Sequence, residues 1–213
     1  MASPNQITLY HYWRSSCSWR VRWALIHKQI PYNDVPINLL ANEQKSPHYL
    51  AINPGGFVPA ISYNGLVFGE SIAIMEWLEE AFPGRPLLPQ NATDRLRVRQ
   101  VCQLIVSGIQ PIQNLSVMRM HSSDANEQSA WARHWISSGL EKVEKILSPH
   151  SGSFCFGGQL TMADLCIVPQ IYNANRFNVD MTMFPTIGRI NQNCLQLTDC
   201  QTAAPHNQKG ATP

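Results

Sequence analysis

A proline-rich stretch, Pro83-Gly84-Arg85-Pro86-Leu87-Leu88-Pro89-Gln90, divides the chain into two parts whose hydrophobic patterns differ. Three prolines in eight residues can continue neither a helix nor a central strand. Before this stretch the segments read strand, helix, strand, helix, strand, strand, helix; after it only helical patterns occur. Alternation of the first kind builds a layered α/β domain, whereas a run of helices builds a separate bundle. The predicted division is an α/β domain over residues 1–83, a linker over 84–91 and an all-helical domain over 92–213. A chain of 213 residues is long enough for two small cores.

The first strand, 7–13, is β-branched and aromatic with no Gly or Pro. Residues 19–29 follow without a breaker and predict a helix. At about 100° per residue, Trp19, Trp23 and Ile26 fall on one face and Val21, Ala24 and Leu25 on the opposite one. Arg20 and His27 lie between the faces on one side and Arg22 on the other. A helix apolar on two faces needs two packing partners. Residues 32–39 predict a second strand, near an edge because Pro31 and Pro36 interrupt it. Residues 42–52 are a weak helix or irregular, closed by the turn signal Asn53-Pro54-Gly55-Gly56. A hairpin turns at Asn64-Gly65, and a helix runs from Gly69-Glu70-Ser71 to Phe82.

In the second part the pattern predicts one long helix over 93–121, bent near Gly108 and Pro111, and another over 127–147. Thr161-Met162-Ala163-Asp164 resembles a capping box that opens a helix over 163–175, apolar almost all round at its start and therefore central. A last helix spans 184–197. The polar tail, 198–213, reads as loosely held.

Chemistry concentrates where the first strand hands over to the first helix, at Ser15-Ser16-Cys17-Ser18-Trp19-Arg20-Val21-Arg22. Ser15 or Ser16 can cap the helix, and the first-turn amides can stabilise a thiolate, either that of Cys17 or one carried by a ligand. The same residues equally make an ordinary cap followed by a small core thiol. Val58-Pro59 is either an edge-strand proline or a cis bond that turns the Val58 backbone outward to pair with a peptide. Glu70-Ser71 offers helix-start amides to a carboxylate and an acid to an ammonium, or is simply a cap.

Other classes find little support. The net charge of +2 is too mild for a nucleic-acid partner, and Arg95, Arg97 and Arg99 read as a solvated helix face. The six cysteines include no Cys-x-x-Cys pair and no histidine at a zinc-ligand interval, so no metal is expected. No apolar run approaches a membrane span and the N-terminus carries no leader pattern, which predicts a cytoplasmic protein with reduced thiols.

Taken together, the first-helix motif resembles the signature of the zeta class of glutathione transferases. Supporting matches are Val35-Pro36-Ile37-Asn38-Leu39, Asn53-Pro54-Gly55-Gly56-Phe57-Val58-Pro59 and Glu70-Ser71-Ile72-Ala73-Ile74. The second part adds Gly108-Ile109-Gln110-Pro111-Ile112-Gln113-Asn114-Leu115, the segment 162–170 and Asn173-Ala174-Asn175-Arg176-Phe177. The resemblance implies a thioredoxin-like N-terminal domain followed by an all-helical C-terminal domain. It also implies a homodimer with glutathione as cofactor and a small dicarboxylic-type substrate. Zeta-class members include isomerases of maleylacetoacetate, in tyrosine breakdown, and of maleylpyruvate, acting by reversible thiolate addition. By the same resemblance Ser15, Ser16 and Cys17 act on the thiol, and Gln44, Val58, Pro59, Glu70, Ser71, Gln110 and Asn114 hold glutathione. Arg176 first, and Arg14 second, bind the substrate carboxylate, because a dianionic substrate calls for cations. A transferase that conjugates or dehalogenates small halo-acids, and a catalytically silent member of the fold, are the alternatives.

Overall fold

The computed structural model describes residues 6–211. Residues 1–5, which hold most of the stretch inspected for a leader, lie outside the described residues. The strands are β1 (Ile7–His11), β2 (Tyr32–Pro36), β3 (Ala60–Tyr63) and β4 (Leu66–Phe68). The helices up to the linker are α1 (Ser16–His27), α2 (Pro47–Ile52) and α3 (Ser71–Ala81). Beyond it come α4 (Ala92–Gly108), α5 (Leu115–His121), α6 (Ala125–Leu147), α7 (Met162–Arg176), α8 (Pro185–Leu195) and α9 (Thr198–Ala203). The chain forms two units: one takes the chain up to Pro86 together with the segment from Leu197, and the other spans Leu87–Gln196.

The first unit has a thioredoxin-like frame, a four-stranded sheet of order β2-β1-β3-β4. β1 runs parallel to β2 and antiparallel to β3, and β3 pairs antiparallel with β4. Alternation along β1 fixes the layers. Ile7, Leu9 and His11 are buried on one face, where His11 meets Arg22 of α1. Tyr10 points to the other face and makes an edge contact with Tyr49 of α2, ring centroids 6.0 Å apart. The hairpin forms as the Asn-Gly pair predicts, with φ of 50° at Asn64 and 78° at Gly65. β2 is an edge strand as expected, but it stops at Pro36, and Asn38 Oδ1 then accepts from the amides of Leu40 and Ala41 to turn the chain.

Two expectations need correction. The tail is not loose: α9 packs against α1 in the first unit and buries Cys200 and Ala203. It supplies one of the partners that the doubly apolar α1 requires. His27 Nδ1 lies 2.7 Å from Asp199 Oδ2, joining the two helices through a polar contact as well. Nor is 93–121 one helix. It breaks at 109–114, where Pro111 lacks an amide to continue the ladder and Asn114 caps α5 by accepting from Ser116 N.

The second unit centres on α7, buried at almost every position from Met162 to Ala174, with α4, α6 and α8 packed around it. Its capping box forms, and the Asp164 carboxylate also accepts from the Cys155 amide at 2.8 Å. Gly139 on α6 faces Ile109 in the break after α4. A Cβ there would overlap the isoleucine side chain, so the residue must be glycine for α6 to pack this closely.

Candidate active site

Strand direction gathers the candidate residues of the first unit at one end of the sheet. β1 ends at His11, beside Pro36 at the end of β2, so Ser15 and the 37–45 connection leave from the same end. β3 enters there, with Ala60 opposite Tyr10, and β4 returns there, with Phe68 opposite Ile61. Val58-Pro59 immediately precedes β3, and Glu70-Ser71 follows β4 after Gly69. A direct bond joins the two helix starts: Arg20 Nη1 on α1 donates to Ser71 Oγ at 3.1 Å, and both residues are buried.

Ser15 caps α1. Its Oγ accepts from Ser18 N at 3.2 Å, and its carbonyl accepts from Trp19 N at 2.8 Å. A hydroxyl that accepts one bond still has its proton to donate, so capping and binding an anion are compatible. Ser16 and Cys17 are the first two residues of the helix, both half-buried. The first turn contains no acidic residue, so its positive potential is not offset by a side chain of that turn. Cys17 is also the one half-buried cysteine among the described residues; the other five are buried.

The Val58–Pro59 bond is cis. Val58 lies two residues outside the ladder that begins at Ala60. Glu70 has φ 64° and ψ 105°, a conformation that a residue with a Cβ adopts only at a cost of about 1–3 kcal/mol and that tends to mark functional sites. Its carboxylate is exposed, and α3 likewise has no acid in its first turn. Gln44 follows β2 in a short 3-10 turn, and its Oε1 is buried without a partner among the described residues. An acceptor in that state fits a ligand N–H. Two helix starts without an acid in the first turn, a backbone segment outside the ladder and this acceptor together suit a peptide bearing a thiol and a carboxylate.

In the second unit, Gln110 is buried in the turn after α4. The Asn114 oxygen serves as the cap of α5, and the residue is exposed. Arg176 is the last residue of α7 and is exposed, with Nη1 3.4 Å from Asn173 Oδ1 and its guanidinium 5.7 Å from the Phe177 ring centre. Arg14, half-buried beside Ser15 in the first unit, sits over the Trp13 ring at 5.4 Å. No cluster of His, Cys, Asp or Glu among the described residues could hold a metal.

Arg20 and Ser18 carry structural roles at the site that sequence reasoning did not assign. Ser18 Oγ accepts from Tyr12 N at 3.3 Å and so pins the strand end to the helix. A signal for Arg20 was present: a helix apolar on two faces leaves no solvent face for an arginine between them, so such a residue is buried and needs an acceptor.

Comparison with known proteins agrees with this architecture. Residues 14–81 match the family model of the glutathione S-transferase N-terminal domain. Maleylacetoacetate isomerase of Dictyostelium discoideum is 47% identical over 216 residues, covering 99% of each chain. The holo structure of a bacterial zeta-class maleylpyruvate isomerase superposes with a TM-score of 0.93 at 36% identity, covering 96% of this chain and 100% of its own. Maleylacetoacetate isomerase of Anaeromyxobacter dehalogenans, solved with glutathione in its active site, gives 0.89 at 39% identity, covering 97% and 98%. This chain belongs to the family of zeta-class glutathione transferases and maleylacetoacetate isomerases.

Proposed function

We propose that this protein is a glutathione-dependent cis-trans isomerase of maleylacetoacetate or maleylpyruvate, working in tyrosine or related aromatic breakdown. The observation that carries the reading is the start of α1, where a capped helix without an acid in its first turn presents a serine hydroxyl with a proton to give. Bound glutathione supplies a thiolate that adds reversibly to an activated cis double bond and leaves again once the bond has rotated. Ser15 donates its hydroxyl proton in a hydrogen bond to the sulfur, and the amides of Ser16 and Cys17 add positive potential. A free thiol has a pKa near ~8.5, and lowering it by two units takes about 2.7 kcal/mol. One hydrogen bond to a charged group contributes about 1.5–3 kcal/mol and a helix terminus roughly 0.3–1, which together reach that figure.

The remaining candidates divide the rest of the work. Ser71 and the α3 amides hold the γ-glutamyl carboxylate, and Glu70 holds the ammonium beside it. Val58 pairs with the peptide backbone, Pro59 shapes its approach, and Gln44 takes an N–H; Gln110 and Asn114 add polar contacts. Arg176 and Arg14 bind the carboxylates of the acid substrate as forked donors. A cytoplasmic homodimer completes the reading. Its support is an apolar set on the sheet edge and the preceding loop, Leu66, Phe68 and Phe57, all exposed in the single chain.

The test is an absorbance assay of both maleyl acids, with and without glutathione, with total glutathione followed by chromatography. The expected result is isomerisation that requires glutathione and leaves its amount unchanged. Stoichiometric loss of glutathione would point to a conjugating transferase instead.

A further inference from the structure

We propose that Arg22 is a positioning residue for the active-site serine: its guanidinium shapes the Tyr12–Arg14 loop that presents Ser15 and fastens that loop to the C-terminal segment at Ala203. The inference rests on the reading of Ser15 given above. Arg22 is fully buried in the middle of α1. All five of its N–H groups have acceptors, the full capacity of the side chain. Nη1 donates to the Tyr12 carbonyl at 3.3 Å and Nη2 to the Trp13 carbonyl at 3.0 Å. Nε and the second Nη2 proton both reach the Ala203 carbonyl, at 3.2 and 3.1 Å.

The fifth contact extends the network. Nη1 lies 3.0 Å from His11 Nδ1, and because arginine can only donate, Nδ1 must accept. The imidazole proton is then on Nε2, 2.6 Å from Asp34 Oδ1 on the edge strand. Burial lowers the Arg22 pKa to about 10, which keeps it charged at neutral pH.

The route to the serine is short. Ser15 N donates to the same Tyr12 carbonyl that Arg22 holds, at 3.1 Å. Arg22 therefore braces the turn from behind, two carbonyls on one side and the tail on the other. A lysine has the charge but only three donors, all on one atom, so it cannot reach the four acceptors that the arginine fork spans.

The test compares Arg22→Lys, Ser15→Ala and the double variant. The readouts are the ultraviolet absorbance of the bound glutathione thiolate against pH, glutathione affinity, and amide exchange at Ser15 in the ligand-free protein. Arg22→Lys is expected to raise the thiol midpoint by about one unit and to lower kcat about ten-fold, with glutathione affinity within about three-fold. Ser15 exchange should quicken. The double variant should be no worse than Ser15→Ala alone, since one residue acts through the other. If Ser15→Ala moves the midpoint while Arg22→Lys leaves it at the wild-type value, or if the two effects simply add, the positioning role is wrong and the serine reading stands. If Ser15→Ala itself moves nothing, both fall. Should Arg22→Lys not fold, Asp34→Ala loosens the same network from its exposed end. Faster Ser15 exchange in that variant supports the proposal, and unchanged exchange overturns it.

Discussion

The starts of α1 and α7 are built from similar residues and differ in one respect, the location of the negative charge. Each begins with a hydroxyl residue, Ser15 or Thr161. In α7 the third residue is Asp164, whose buried carboxylate accepts from Thr161 N, Thr161 Oγ1 and Cys155 N, each at 2.8 Å. Burial pushes the Asp164 pKa up even so, with the bonds from Cys155 and Thr161 pulling the other way. In α1 no acid stands in the first turn. The remaining long helices follow one pattern or the other: α4 and α6 carry Asp94 and Glu127, and α8 receives Glu144, which accepts from the amides of Thr186 and Ile187. α1 and α3 carry no acid within the first turn, and the acid at the α3 cap position, Glu70, makes no cap bond to it. The structural helices close their positive ends with the protein's own carboxylates, and in the proposed function the two at the site leave them to an anionic ligand.

Substitutions can break this contrast from either side. The largest effect is expected at Asp164→Ala, which strands three buried donors and should cost about 3 kcal/mol or more in urea unfolding, with no change in the pH titration of bound glutathione. Ser15→Ala comes next. It should lose most of the turnover, about 2 kcal/mol of transition-state stabilisation, while glutathione affinity stays within a few-fold, because the bond serves the thiolate. Arg176→Ala should raise KM for the acid about ten-fold, near 1.4 kcal/mol, with little effect on glutathione; equal losses in both would remove Arg176 from the acid's site. The smallest effect should come from Ser16→Asp, which gives α1 the acid it lacks. Thermal unfolding should show a gain of about 0.5 kcal/mol, accompanied by weaker glutathione binding, whereas a gain in both would contradict the contrast.

Much of this was legible in the chain because it is local. The Asn64-Gly65 turn, the Thr161–Asp164 box and the Ser15 cap each depend on residues within a few positions, and the zeta-class resemblance covers nearly the whole length. What was illegible depends on distant partners. Arg22 looks like a border residue on the helical wheel, and two of the five contacts that allow its burial go to the Ala203 carbonyl, 181 positions away. The tail reads as polar because its few apolar residues, Cys200 and Ala203 among them, are small; it is held by α1 and by the contact of His27 with Asp199. Gly108 and Pro111 mark where α4 gives way to α5, but as local signals they predict only a bend. The separation into two helices depends on a new cap at Asn114 and on the buried amide pair of Gln113 with Gln170, another long-range contact.

The ionisation of glutathione bound to the unaltered protein tests the central claim most directly. Titrating its thiolate absorbance should give a midpoint about two units below the ~8.5 of an ordinary thiol. A midpoint equal to that of glutathione in solution would mean that the start of α1 does nothing for the sulfur, and the account would be wrong.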